Sequence, residues 1–276
     1  MSSCRFPAGR HLTSTVKIVV LSPHRDDAAF SLGLSLAQWL DDGHAITVLN
    51  CFTQSEYAPY SDVDSLHRND RASFATAVRR KEDIAWNKLL GGKLRFHDLD
   101  LLDAPLRLAC SVDEVLHVPI RPGDRAVARV AGAVAKLIRG GTPEATAVLV
   151  PLAVGGHIDH RVVRQAALDA LSGTDLPVAF YEDLPYAARA GEAEELATVA
   201  EATGLLLRPT FASPPADVAD AVRRKMRMGE CYDSQVDSEV VGSIGEFCLR
   251  YSGRERLWAN AAWLLSGLAV PVEAKA

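Results

Sequence analysis

Long hydrophobic runs are missing from this 276-residue chain. Its apolar stretches, such as Ile18 to Leu21 and Ala147 to Val150, fall far short of the roughly 18 consecutive residues that a membrane helix needs. A membrane span is therefore not expected. An excess of positive charge is missing too: 30 Lys plus Arg stand against 35 Asp plus Glu, a formal charge of -5. No global positive field gathers phosphates, which argues against nucleic acid as the main partner. Cysteine is scarce, with Cys4, Cys51, Cys110, Cys231 and Cys248 odd in number and without a C-x-x-C pair, so neither a disulfide framework nor a thiolate zinc site is expected. The first seventeen residues carry Arg5, Arg10 and Lys17 but no apolar core or small-residue cleavage site, so no signal peptide is read and a cytoplasmic location fits best. The glycine-rich fingerprints G-x-G-x-x-G and G-x-x-x-x-G-K-[ST] do not occur either.

What remains is the composition of a globular enzyme, 48% apolar and 24% charged, laid out in alternating segments. TVKIVVLS from Thr15 is a β-branched run suited to a strand buried on both faces, and DDAAFSLGLSLAQWLDDG follows with helical spacing. Strand-like 44–53, a helix from about Ser65 to Leu90 and strand-like 94–100 continue the pattern. A helix at about 124–139, stopped by Gly140-Gly141, leads to strand 146–152 and a helix from near Asp159. Strands at 178–185 and, more weakly, 205–213 precede a helix over Asp217 to Tyr232. Alternation of this kind predicts a single α/β domain with a mostly parallel sheet and helices on both faces. The core spans about 15–236, a helical extension follows over about 237–276, and residues 185–204 are read as an inserted helix or a flap.

In an open parallel sheet, ligands bind beyond the carboxyl ends of the strands. The first strand is followed by Pro23-His24-Arg25-Asp26-Asp27. Two carboxylates there would repel a pyrophosphate, but an imidazole and a carboxylate three residues apart can converge on one metal ion. Asp26 or Asp27 could equally do no more than cap the next helix. The strand ending at Pro151-Leu152 is followed by Gly155-Gly156-His157-Ile158-Asp159-His160. Two histidines at i and i+3 can face one site, and Asp159 can accept a ring N-H and so fix a histidine tautomer. By itself this segment could be a solvated helix start. Two His/Asp clusters at two strand ends are hard to ascribe to chance.

Pro23-His24-Arg25-Asp26-Asp27 resembles the P-H-P-D-D signature, and His157-Ile158-Asp159-His160 the H-x-D-H signature, of the LmbE-like (PIG-L) zinc-dependent N-acetylglucosaminyl deacetylases. Arg79, Glu82 and Leu89-Leu90-Gly91 resemble the family's R-x-x-E and L-L-G helix, and Lys225, Tyr232, Ser234 and Gln235 its late segment. The resemblance covers about residues 15–236. It implies a Rossmann-like fold and a zinc ion, or another divalent metal, held by His24, Asp27 and His160 with a position open for water. Asp26 would be the general base and His157 the group stabilising the oxyanion, with Asp159 beside them in the catalytic set. Arg79 would contact substrate, and Asp103 would bind a sugar hydroxyl, although a turn Asp before Pro105 is as plausible.

The chain departs from the pattern at Arg25, where Pro is usual, at Ala28, where Glu is usual, and at Met228, where a small residue is common. Arg25 beside the metal could contact an acidic group on the acceptor. The expected activity is removal of an N-acetyl group from an N-acetylglucosaminyl conjugate, foremost an aminoglycoside or glycopeptide antibiotic precursor, with a thiol-precursor glycoside as another candidate. The competing class is a non-catalytic carbohydrate-binding or assembly protein. Asp26 and His157, which binding alone would not require, favour the enzyme. The expected partner is a small-molecule glycoside, and a homo-oligomer is possible. The basic runs 79–81 and 223–227 are read as solvated helix faces apart from Arg79, His11, His44, His67, His97 and His117 as surface or core residues, and Trp39, Trp86, Trp258 and Trp263 as largely buried in helical segments. Glu182-Asp183, at another strand end, is read as pocket lining.

Overall fold

The computed structural model describes residues 15–139, 146–212 and 214–270. The N-terminal segment with Cys4, Arg5, Arg10 and His11, and the Gly140-Gly141 helix stop, lie outside these residues. The chain runs β1 (Lys17–Ser22), α1 (Asp27–Asp41), β2 (Ala45–Asn50), α2 (Arg68–Leu89), β3 (Arg95–Asp98), α3 (Ala104–Leu108) and α4 (Arg125–Arg139). It continues with β4 (Thr146–Pro151), α5 (Ile158–Leu171), β5 (Val178–Tyr181), α6 (Ala193–Thr203), β6 (Arg208–Thr210), α7 (Val218–Gly229), α8 (Ser238–Arg250), β7 (Leu257–Ala259) and α9 (Ala261–Leu265).

These strands form one seven-stranded sheet in the order β3-β2-β1-β4-β5-β7-β6. The pairs β1 with β2 and with β4, β2 with β3, and β4 with β5 are parallel, whereas β7 runs antiparallel to both β5 and β6. At the centre, Ile18 to Leu21 and Ala147 to Val150 are completely buried, as continuous apolar strands must be when helices cover both faces. The helices pack in two groups, α4 on α5 and α1 on α7, which in turn packs on α8. At the edges the apolar pattern weakens, and Pro209 sits on outermost β6, where a missing N-H breaks no central ladder. Met228 packs so closely on α1 that a Cβ at Gly33 would lie 2.5 Å from its Sδ. The departure at Met228 is thus matched by a glycine across the helix interface.

Two expectations need correction, and a third resolves between its two alternatives. The C-terminal segment is not a purely helical appendage, because β7 threads between β5 and β6 and joins them. Trp258 lies on that strand and is only partly buried, unlike Trp39, Trp86 and Trp263. Residues 185–204 form a 3-10 turn at Tyr186–Ala188 followed by α6. Arg256 ties this segment down by pairing with Glu182 at the end of β5 and with Glu192 at the start of α6.

Candidate active site

The strand order reverses between β1 and β4, the position where an open α/β sheet leaves a crevice at its carboxyl edge. Both His/Asp clusters leave the sheet there, the first between β1 and α1 and the second between β4 and α5. Gly155 and Gly156, at φ +85° and +78°, make the turn into α5. Gly155 is required on steric grounds too, since a Cβ would lie 2.6 Å from the Cβ of Tyr186. The simple capping role fails for Asp26, whose side chain makes no cap hydrogen bond to α1. Instead the Ala28 N-H donates to Ser22 Oγ, and Asp27 turns back to accept the His24 N-H at 2.7 Å.

The turn brings three donor atoms together. Asp27 Oδ2 lies 3.3 Å from His24 Nδ1 and 3.4 Å from His160 Nε2, and the donor atoms of the three residues all lie within 4.8 Å of one another. Four-coordinate zinc with arms of about 2.0–2.2 Å separates its ligands by about 3.3–3.6 Å. Two of these separations therefore suit a shared cation. His160 Nε2 is also buried without any hydrogen-bond partner, an expensive arrangement for a polar atom unless a ligand occupies it. The residues present fit a divalent metal.

The far side of each histidine is held by its own carboxylate. His24 Nε2 lies 3.2 Å from Asp159 Oδ2, and His160 Nδ1 lies 2.7 Å from Asp183 Oδ1. These contacts leave His24 Nδ1 and His160 Nε2 as the donors facing Asp27, the usual tuning of metal-binding histidines. Asp159 is fully buried and also accepts the Ala104 N-H at 2.8 Å and Arg107 Nη2 at 2.8 Å. It holds the His24 ring from behind.

Protonation follows from this packing. Burial alone would lower the His24 pKa, but Asp159 and Asp27 override it and raise it to about 10. Burial pushes Asp27 up, yet the charges of His160 and His24 hold it well below the usual carboxylate range. A proton retained so strongly between carboxylates marks a place where positive charge is favoured. His157 behaves in the opposite way: burial, reinforced by His24 and His160, holds it well below its ordinary value. Its Nδ1 accepts the Asp159 backbone N-H at 3.2 Å, so the neutral ring carries its proton on Nε2 as a hydrogen-bond donor.

The cluster opens into a cavity of about 660 Å³ lined by His24, Asp26, Asp27, Arg79, Asp103 and His157. Arg79 Nη2 donates to Asp26 Oδ1 at 3.0 Å and so fixes the carboxylate next to the metal trio. Asp103 lines the cavity and also caps α3 by accepting the Leu106 N-H. Arg25 contradicts its expected substrate role. It is 2% exposed, with Nη1 2.5 Å from Asp83 and Nη2 2.6 Å from Asp98, so its guanidinium is used up inside the protein. Asp183 was read only as pocket lining; a carboxylate at the end of β5, next to β4, was the available signal for its hold on His160. Tyr186, whose ring stands edge-on to His160 at 5.6 Å, and Arg107 behind Asp159 were not singled out. The late segment reaches the same place, with Tyr232 donating to Asp83, the Ser234 N-H to Glu82, and Gln235 lining the cavity.

Residues 19–171, more than half of the chain, match the PIG-L family model, described as GlcNAc-PI de-N-acetylase. The chain belongs to the PIG-L family. Members are metal-dependent de-N-acetylases, and this chain is an enzyme of that kind. Among PIG-L relatives, a 2'-N-acetylparomamine deacetylase of Streptomyces fradiae is 36% identical over 247 residues, covering 88% of this chain and 81% of the relative. A teicoplanin deacetylase, solved in a zinc-inhibited form, aligns with TM-score 0.65 and 27% identity over 88% of this chain and 97% of its own. A deacetylase of the A40926 pseudoaglycone aligns with TM-score 0.63 and 26% identity, covering 91% and 99%. Among the described residues of this PIG-L protein, no helix is long and apolar enough to cross a membrane.

Proposed function

We propose that this enzyme removes the acetyl group from an N-acetylated amino sugar within an antibiotic precursor, an aminoglycoside pseudo-disaccharide before a glycopeptide. The observation that carries the chemistry is the partnerless His160 Nε2 facing Asp27 and His24 at the base of a cavity that also presents Asp26 and His157. Similarity to the paromamine deacetylase supports the acceptor class. His24, Asp27 and His160 would hold the cation, which we take to be zinc from the imidazole and carboxylate donor set. Such an ion supplies Lewis-acid polarisation of a carbonyl and acidifies water.

The side chains supply the rest. Asp26, anchored by Arg79, accepts the proton of the attacking water as the C-O bond forms at the acetamide carbon. The neutral His157 donates its Nε2 hydrogen to the carbonyl oxygen as negative charge builds there. Asp26 then returns the proton to the leaving nitrogen, the C-N bond breaks, and acetate and the free amine are the products. Pro185, Tyr186 and Arg189, together with Val112, Asp113 and Val115 to His117, extend the cavity beyond the trio, leaving room for more than a monosaccharide. Contacts there position the acetamide and raise the rate of the chemical step itself. We place the reaction in the cytoplasm, where small biosynthetic glycosides are made.

The test is acetate release from a panel of N-acetylated glycosides, with metal analysis of the same preparation. An N-acetylated aminoglycoside or glycopeptide precursor should exceed free GlcNAc in kcat/KM by at least about tenfold, or ~1.4 kcal/mol. Equal turnover of free GlcNAc and every conjugate would remove the rim from the mechanism.

A further inference from the structure

A second concave region lies on the other side of α3. Asp103 and Pro105, at the start of that helix, face the metal cavity, whereas Arg107 and Leu108, at its end, line a separate groove of about 570 Å³. One short helix is the partition between them.

The groove is basic in a protein whose net charge is -5. Arg121, Arg125 and Arg129 line it together with Arg107. Arg125 and Arg129 project from the first turns of α4 at i and i+4, about 6 Å apart along its axis, and Arg121 stands in the turn before it. Among the described residues, none of these three makes an ion pair with a carboxylate, while Arg107 pairs with Asp124 at 2.5 Å. The acids in the groove are already engaged: Asp124 by Arg107 and by the Ala126 N-H, and Asp100 by the Thr53 hydroxyl. Four guanidinium groups against the two carboxylates of Asp100 and Asp124 leave the groove lining with an excess of positive charge that an anion offsets. Their forked N-H groups match the geometry of a phosphoryl group, whose two charges offset more of the excess than one carboxylate can. Leu101, Leu102 and Pro122 give the groove an apolar wall.

We propose that this groove binds a small phosphorylated molecule through Arg121, Arg125 and Arg129. The site is distinct from the acetamide site and does not depend on the acceptor assigned above. Arg107 bridges the two regions, reaching Asp124 in the groove with one nitrogen and Asp159 behind His24 with the other.

The test is titration calorimetry of the metal-loaded, full-length protein with inorganic phosphate, glucose 6-phosphate and acetate at matched ionic strength. The phosphate-bearing probes should bind saturably and at least about tenfold more tightly than acetate. The variant R121E/R125E/R129E should lose that binding by at least about tenfold, with an unchanged circular dichroism spectrum because all three side chains are exposed. The control R223E/R224E alters equally exposed arginines on α7 and should bind as the wild type does. Tighter binding of glucose 6-phosphate assigns the site to a phosphate ester, and equal binding assigns it to free phosphate. Undiminished phosphate binding in the triple variant, or an equal loss in the control, would each overturn the proposal.

Discussion

At the scale of single residues, the site divides labour between adjacent carboxylates. Asp27 faces the two histidines, while Asp26, one residue earlier, is held by Arg79 and reaches the cavity. Asp26→Asn should therefore retain its metal and fold yet lose activity by about 10²-fold or more, since an amide cannot accept the proton; metal content and rate measured on one sample check both halves. Asp183 has the complementary role. Asp183→Asn should weaken metal binding about 10- to 100-fold by loosening His160, which a chelator titration would show, and unchanged affinity would mean that the ring is fixed by packing alone. The meeting of His24, Asp27 and His160 was legible in the sequence because each cluster is compact and sits at a strand end. The partner of His160 was not, because Asp183 comes near it only when β5 pairs beside β4.

Among the elements, the loop between β1 and α1 shows how a local reading goes astray. Arg25 lies between His24 and Asp26, so sequence proximity places it at the pocket. The turn sends its side chain the opposite way, to acids 58 and 73 residues further along the chain, on α2 and β3. With Asn50 and Tyr232 these groups form a polar network that ties the loop before α1, α2, the sheet and the segment after α7 together. Arg25→Met should cost about 3–5 kcal/mol, because the buried Asp83 and the partly buried Asp98 lose their cation, while leaving the ranking of acceptors unchanged. Denaturant unfolding and a substrate panel separate that outcome from the substrate contact read from the sequence. The strands and long helices were readable from periodicity, but β7 was not: three residues are too few to display a period, and its partners β5 and β6 lie about 50 to 80 residues earlier in the chain.

Across the whole molecule, the joint between α2 and the late segment carries a pH dependence. Glu82 accepts the Ser234 N-H, and burial raises its pKa from 4.5 to about 7. Between those values the folded chain keeps a proton that the unfolded chain has released, so this group's contribution to stability is lost as pH rises through about 7. Asp83, pushed up to about 6 by burial, acts in the same direction. Relative to wild type, Glu82→Gln should therefore melt progressively higher from pH 5 to pH 8, and a constant difference across that range would show that Glu82 does not titrate there.

The place of β7 also sets the order of assembly during synthesis. A ribosome makes β6 some fifty residues before β7, yet β6 touches the sheet only through β7. Until residues 257–259 have left the exit tunnel, β6 has no strand to pair with and β5 presents a bare edge to its surroundings. Nascent chains emerge at about 5–20 residues per second, so that edge stays open for several seconds on every polysome. The interval is a natural target for a chaperone and a hazard for overexpression, where neighbouring nascent chains offer one another the same unpaired strand.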